Sequence, residues 1–330
     1  MQAARFIEVG RMDVGGLPDP EPARGEVLVQ VAAAGICGTD RHILKGEFPS
    51  RPPVVLGHEF AGTVVALGED VTTHKVGDLV ACDPNIACGT CPPCLLGRIN
   101  LCENLVAVGV HRDGGFAEFS AFPAHRAIPL PAGLGLREAA FSEPLACCIH
   151  ALDVAAIRPG ERAIVIGGGV IGLLCVQLAR LAGAEVLLLT RSTDRRRIGE
   201  AVGAQASVAT PEDARAYWAR GADVVLECAG VGETVAEAPR LAARGGRVVV
   251  VGVLAKGETV AIEPFDLLVR EVDLRMAFVN PFTQSRALHL LASGAIRTAP
   301  LITREIGREE LPSVLASRPG PTEVKVLVTG

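Results

Sequence analysis

Cys37, His58 and Glu59 place a thiol, an imidazole and a carboxylate close together near the start of the chain. These are three ligand types that zinc accepts, and three protein ligands leave a fourth position open for water or a substrate oxygen. The stretch reads Gly35-Ile36-Cys37-Gly38-Thr39-Asp40-Arg41-His42, then a basic, proline-rich loop, then Gly57-His58-Glu59. Thr39 adds a hydroxyl and His42 a second imidazole. Taken singly, Cys37 would be a small buried hydrophobe and His58-Glu59 a surface pair. Together the five side chains form a candidate catalytic metal site.

A second cluster reads Cys88-Gly89-Thr90-Cys91-Pro92-Pro93-Cys94 and is closed by Cys102. Four thiolates at this spacing can wrap one tetrahedral zinc with no position left over, the pattern of a structural site. A redox Cys-x-x-Cys is the rival reading, and the fourth cysteine counts against it.

A third group binds phosphate rather than metal. Arg162-Ala163-Ile164-Val165-Ile166 is a continuous apolar run, as in a parallel strand covered on both faces. It leads into Gly167-Gly168-Gly169-Val170-Ile171-Gly172, after which Ile171, Leu174, Cys175, Leu178 and Leu181 share one helical face. Strand, Gly-x-Gly-x-x-Gly and helix make the dinucleotide fingerprint: Gly167 for the tight turn, Gly169 for close approach of the pyrophosphate, Gly172 for helix–strand packing. Val170 and Ile171 open a helix whose free amides and dipole favour phosphate. The next strand, at 185–189, ends in Thr190-Arg191-Ser192, where an NAD-specific site carries an acid; Asp194 falls later. A small hydroxyl residue followed by Arg191 suits a 2′-phosphate, and Arg195 and Arg196 add positive charge. NADP is therefore expected in preference to NAD, which stays possible, against the plainer reading of a solvated basic helix start.

These groups need elements to hold them. At 330 residues the chain is long for a single core, so two domains are expected. Residues 5–131 alternate short apolar runs with Gly and Pro, the mark of a β-rich region. From about residue 151 the pattern changes to strand–helix repeats, with strands expected at 162–166, 185–189, 222–227 and 246–252. A net charge of -5 and the lack of any Lys/Arg-rich run argue against a nucleic-acid partner. The longest apolar runs are of strand length, which argues against a membrane one. Ten cysteines, four of them in one cluster, one in the Gly35–His42 stretch and the rest in apolar contexts, fit metal use and core filling in a reducing cytoplasm.

Cys-Gly-Thr-Asp-x-His followed by Gly-His-Glu resembles the zinc-dependent medium-chain alcohol and polyol dehydrogenases, and the resemblance spans nearly the whole chain. It implies an α/β protein: an N-terminal β-rich, GroES-like catalytic domain at 1–146, completed by 284–330, and a doubly wound parallel-sheet (Rossmann) cofactor domain at 147–283. Where simple-alcohol members carry a cysteine ligand this chain has Glu143-Pro144-Leu145, like the sorbitol-type and sugar dehydrogenases. That implies Cys37, His58 and Glu59 as ligands of a catalytic zinc, with Glu143 a ligand in some states or a hold on water at the metal. The acid would also suit the start of a helix near Pro144. Cys88, Cys91, Cys94 and Cys102 would hold a second, structural zinc.

The family's relay implies that Thr39 takes the alcohol proton and passes it through the nicotinamide ribose to His42 and solvent. Val251 and Gly252 would line the nicotinamide, beside Cys228 and Ala229. Cys147, Cys148 and His150 read as core or helix face. Asn280 stands where sorbitol dehydrogenases carry part of an Arg-Tyr pair, and is a candidate amide for a substrate hydroxyl or a loop cap. The implied reaction is reversible oxidation of a secondary alcohol of a polyol or sugar-like substrate to a ketone, in a homotetramer or homodimer. The alternatives are an L-threonine or simple alcohol dehydrogenase, a zinc-free quinone reductase, and a non-catalytic cofactor-binding protein.

Overall fold

The computed structural model describes residues 1–330. The N-terminal half is organised around the strand Glu26–Gly35, in which Val27, Val29 and Val31 point into the core and Gln30 outward, the period-two pattern of a half-buried strand. It pairs antiparallel with Glu59–Leu67 over most of its length, with Phe119–Pro123 near its start, and with Lys325–Thr329 near its end. The resulting seven-stranded sheet also carries Leu79–Cys82, Ala127–Pro129 and Ile302–Ile306. Phe60 and Phe122 meet edge to face beneath it, centroids 5.5 Å apart. The last strand of the chain thus lies inside the first half of the fold.

The second half is a six-stranded sheet, every neighbouring pair parallel. Its strands are Arg162–Ile166, Glu185–Leu189, Ala206–Val208, Ala222–Glu227, Ala242–Val250 and Asp273–Met276. Their order across the sheet is 3-2-1-4-5-6, that of a doubly wound dinucleotide fold. Within Arg162–Ile166, Ala163 and Val165 enter one hydrophobic cluster while Ile164 and Ile166 enter another. Two buried faces explain why this strand is apolar from Ala163 onward.

The sequence suggested that the fifth strand enters at Gly246. Its pairing instead begins at Ala242, with an irregularity between the partners of Ala222 and Val224. Gly245, at φ +71°, supplies the backbone step there.

Helix Ser142–Ala155 joins the halves. It packs on the strands Glu59–Leu67 and Ala242–Val250 and on the helices Val170–Leu181 and Gln284–Ala292. The expected boundary between residues 146 and 147 falls inside this helix. One continuous cluster runs from Ala33, Ala61 and Ala81 through Leu145, Cys148 and Ile149 to Val165 and Leu188, so the halves share a core.

Candidate active site

Cys37 follows the central strand and caps the short helix Gly38–Leu44. Its backbone N–H donates to Asp40 Oδ2 at 2.9 Å, and Asp40 Oδ1 faces His58 Nδ1 at 3.5 Å. One fully buried carboxylate therefore anchors the Cys37 backbone and faces the Nδ1 edge of the imidazole, the side from which a carboxylate supports a metal-ligating ring. Glu59 opens the neighbouring strand, opposite Gly35, and His58 immediately precedes it. The ligand atoms of Cys37, His58 and Glu59 lie within 4.8 Å of one another. Burial disfavours a charged His58, but the negative charges of Asp40 and Cys37 outweigh it and push the imidazole well above its ordinary range. A buried cluster that draws positive charge onto its ring is one that a divalent cation fits.

Two residues beyond the expected set complete this cluster. Asp40 had a sequence signal, since an acid three residues after an N-cap is the spacing of a capping box. Lys325 had none: a lone lysine in the run Val324-Lys325-Val326-Leu327-Val328 reads as a solvent-facing strand residue. It is instead 0% exposed, donating to Ile36 O at 2.9 Å and to the Glu59 carboxylate.

Glu143 lies in the first turn of Ser142–Ala155 and is buried. Burial pushes its carboxyl up to about 7; His58 opposes the rise and Glu59 adds to it. It is near enough to feel both charges, yet it is not one of the three mutually close ligand groups. Cys147, read as a core or helix-face residue, donates to Glu143 Oε1 at 3.4 Å and so borders the site. One residue on, Cys148 Sγ reaches Ile171 O at 3.5 Å, which links the metal cluster to the glycine-rich turn through a single helix.

Asn280 is not placed to meet a substrate. It is 2% exposed, and its carboxamide accepts from Asn85 and donates to Gln284 Oε1. Gln284 Nε2 donates in turn to Ser142 Oγ at 2.9 Å and to Cys82 O at 3.1 Å. A buried amide is held where all its groups find partners, and this chain of amides fixes the residue next to Glu143.

Thr39 and His42 share helix Gly38–Leu44. Thr39 is half-buried; His42 is 28% exposed at its side chain, with Nδ1 2.7 Å from Glu47 Oε2. A half-exposed ring anchored through one nitrogen keeps the other free for proton exchange.

The four cysteines of the second cluster converge. Their sulphurs all lie within 4.8 Å, with Cys91–Cys94 at 3.4 Å and Cys91–Cys102 at 3.9 Å, near the ~3.8 Å edge of a tetrahedron with zinc–sulphur bonds of about 2.3 Å. Backbone amides of Cys88 and Asn104 donate to Cys102 Sγ, and that of Cys91 to Cys88 Sγ. Hydrogen bonds from Thr90 and Cys91 bring the Cys88 thiol down to about 5. Amide donors aimed at sulphur suit thiolates that hold a metal, and no disulfide joins them.

The cofactor cleft, about 650 Å³, is lined by Gly167, Gly168, Gly169, Thr190, Arg191, Ser192, Arg195, Cys228 and Ala229, with Pro319, Gly320 and Pro321 from the C-terminal segment. Gly167 has φ +105°, and a Cβ on Gly172 would fall 1.9 Å from Gly167 O, so turn and helix must be side-chain-free at those points. Val170 and Ile171 open the helix behind the turn. Val251 and Gly252 do not line this cleft; both amides donate to Glu227 O. The basic residues divide by role. Arg196 donates to Thr190 O, Arg191 O and Thr193 Oγ1. Ser192 caps its helix through Arg195 N and donates to Pro321 O. Arg195 donates to Gly320 O and Glu323 O. Arg191 is exposed, with its guanidinium uncommitted.

Two family models match: "Alcohol dehydrogenase GroES-like domain" over residues 23–132 and "Zinc-binding dehydrogenase" over residues 170–293. Among curated proteins, the 2-dehydro-3-deoxy-L-galactonate 5-dehydrogenase of Pseudoalteromonas atlantica is 34% identical, covering 93% of this chain and 92% of its own. A sorbitol dehydrogenase of Halalkalibacterium halodurans is 33% identical over 97% and 96%. A zinc-binding dehydrogenase of Sinorhizobium meliloti, solved bound to NADP, superposes with a TM-score of 0.97 at 50% identity, covering 100% of this chain and 99% of its own.

Proposed function

The chain belongs to the zinc-type medium-chain alcohol and polyol dehydrogenases, and we propose that it oxidises a secondary alcohol of a polyol or sugar-like substrate to the ketone, reversibly, with NADP preferred over NAD. The observation that carries the reading is the close thiol–imidazole–carboxylate cluster, its imidazole and carboxylate buried, joined by one helix to a glycine-rich dinucleotide turn.

In this reading Cys37, His58 and Glu59 hold the catalytic zinc, and Cys88, Cys91, Cys94 and Cys102 hold a structural one. When bound, the catalytic ion supplies a Lewis acid to the alcohol oxygen and the nicotinamide accepts hydride. Asp40 and Lys325 orient the ligands. Glu143, a buried carboxyl above the cluster with a raised affinity for protons, holds water or substrate hydroxyl. The Thr39 hydroxyl would take the substrate proton while giving up its own to the path that ends at His42, which, anchored by Glu47, exchanges a proton with solvent. Arg191 and Thr190 meet the 2′-phosphate; Ser192, Arg195 and Arg196 shape the wall around it. The relative solved with NADP supports this preference.

The same reading divides the chain into a catalytic part, 1–146 with 284–330, and a cofactor part, 147–283. It places the protein in the cytoplasm, since cysteines gathered for metal binding and core filling suit a reducing compartment; no helix is long and apolar enough to cross a membrane. A homodimer or homotetramer is favoured by the edge strand Asp273–Met276, beside which Phe265, Leu268, Met276 and Phe278 are exposed.

The test is a panel of polyols, sugars, simple alcohols and L-threonine, each with NAD and NADP. Turnover of a polyol or sugar alcohol that is abolished by metal removal is the expected result. Activity on quinones that survives metal removal, or no turnover of any alcohol, would overturn it.

A further inference from the structure

We propose that Lys325 is a positioning residue of the metal cluster: its ammonium holds one oxygen of Glu59, so that Glu59 meets the cation through the other oxygen alone and a coordination position stays open. The proposal rests on the reading of Cys37, His58 and Glu59 as zinc ligands.

A lysine with no exposed surface is costly to bury and persists where its charge and donors find partners. Here the partners are Ile36 O, at 2.9 Å, and Glu59 Oε2. No protein donor reaches Glu59 Oε1. The arrangement depends on three adjacent strands: Glu59 is paired with Gly35, Gly35 with Leu327, and Lys325 opens that last strand. A Cβ on Gly35 would fall 2.4 Å from Glu59 Oε2 and 2.5 Å from Lys325 Cε. The missing side chain is the space in which the ion pair sits.

Charge explains why a lysine stands there. A Cys37 thiolate, an ionised Glu59 and the fully buried Asp40 carboxylate carry one negative charge more than a divalent cation offsets, and the Lys325 ammonium returns the sum to zero. A buried site tolerates charge when the total is close to neutral. A lysine serving only as structural support for the strand could pair with any acid; this one divides the two oxygens of a metal ligand. Without it, Glu59 is free to chelate through both oxygens, and a positive charge that repels the cation is gone.

The experiment measures zinc occupancy of the Cys37 site in the full-length protein by chelator competition, with the absorption spectrum of the cobalt(II)-substituted protein as a second readout. In Lys325→Met the ion is expected to bind at least about tenfold tighter, the cobalt spectrum to move toward higher coordination number, and kcat to fall. Lys325→Gln, which keeps an amide donor without the charge, gives the same comparison should Lys325→Met fold only with metal. Wild-type protein that binds a single ion, held by the four-cysteine lobe, overturns the parent reading. Wild-type protein that binds two, with affinity unchanged or weakened in the folded variants or the cobalt spectrum unaltered, overturns the role of Lys325.

Discussion

Arg195 donates to the backbone carbonyl of Glu323 at 2.7 Å, fastening helix Thr193–Ala201 of the cofactor half to the C-terminal segment. Ser192 does the same through Pro321 O at 2.9 Å. Beyond that segment, Glu323 Oε1 accepts from Arg41, on the helix that carries Thr39 and His42. The basic cluster at this end of the cleft thus contains one free arginine and others engaged in holding a wall.

Arg191 and Arg195 should therefore respond differently to substitution. Arg191→Ala is expected to weaken NADP binding by roughly 1.5–3 kcal/mol, the scale of a charge-assisted hydrogen bond, and to leave NAD nearly unchanged. Arg195→Ala should weaken both cofactors alike, because it loosens the wall. Fluorescence titration of both variants with both cofactors decides; equal losses of NAD and NADP in Arg191→Ala would refute the assignment.

Metal content should separate the two clusters. Wild-type protein is expected to carry two zinc ions per chain. Cys37→Ala or His58→Ala should lose one ion and all turnover while staying folded. Cys94→Ala should damage folding or assembly, since a structural zinc contributes folding free energy directly. Elemental analysis finding one ion in the wild type, and the same content in Cys37→Ala, would sink the two-site assignment.

The proton path predicts graded losses. His42→Ala should lower turnover by about 10²-fold, the usual scale of an acid–base group, and Thr39→Ala should cost more because in the proposed path it meets the substrate hydroxyl first. Glu47→Ala should follow His42→Ala with a smaller loss, since Glu47 only anchors the ring. An unchanged rate and pH profile in His42→Ala would make that imidazole a bystander.

The buried charges give a pH dependence for protein depleted of the catalytic ion. Glu143 rises from an ordinary carboxyl value to about 7, chiefly through burial. A group whose folded value is raised lends stability that is complete below its unfolded value and is lost as pH climbs through the folded one. His58, also raised, has the same sign. The depleted protein should lose on the order of 1–3 kcal/mol between pH 5 and pH 8, and Glu143→Gln should flatten that slope. Metal addition should reverse it, because binding favours the deprotonated ligands. Denaturant unfolding at several pH values reads all three; a depleted protein more stable at pH 8 than at pH 5 would contradict the sign.

What the sequence made legible was local. Cys37 with His58-Glu59, the four cysteines and the Gly167–Gly172 turn each lie within one or two elements, so residue type and spacing carry the geometry. The doubly wound sheet was legible for a related reason: strands buried on both faces, such as Arg162–Ile166, leave continuous apolar runs. Asn280 was left open between a substrate amide and a loop cap, and only the fold shows its amide enclosed by Asn85 and Gln284. Ser192 and Arg195 carry the right chemistry for phosphate, but their partners come from residues 320–323, which no local pattern associates with them. Lys325 was invisible because a strand lysine ordinarily faces water, and the carboxylate that holds it lies far away in sequence.

That separation, 266 residues between Glu59 and Lys325, bears on the order of assembly. The strand that delivers Lys325 can dock only after the chain has travelled through the whole parallel sheet and returned. Closing so long an unstructured loop is entropically unfavourable, though the penalty grows only with the logarithm of length. A cofactor half that has already collapsed shortens the effective tether. High contact order of this kind slows folding, so the catalytic centre, although two of its ligands are adjacent in sequence, belongs among the last parts of the molecule to become competent.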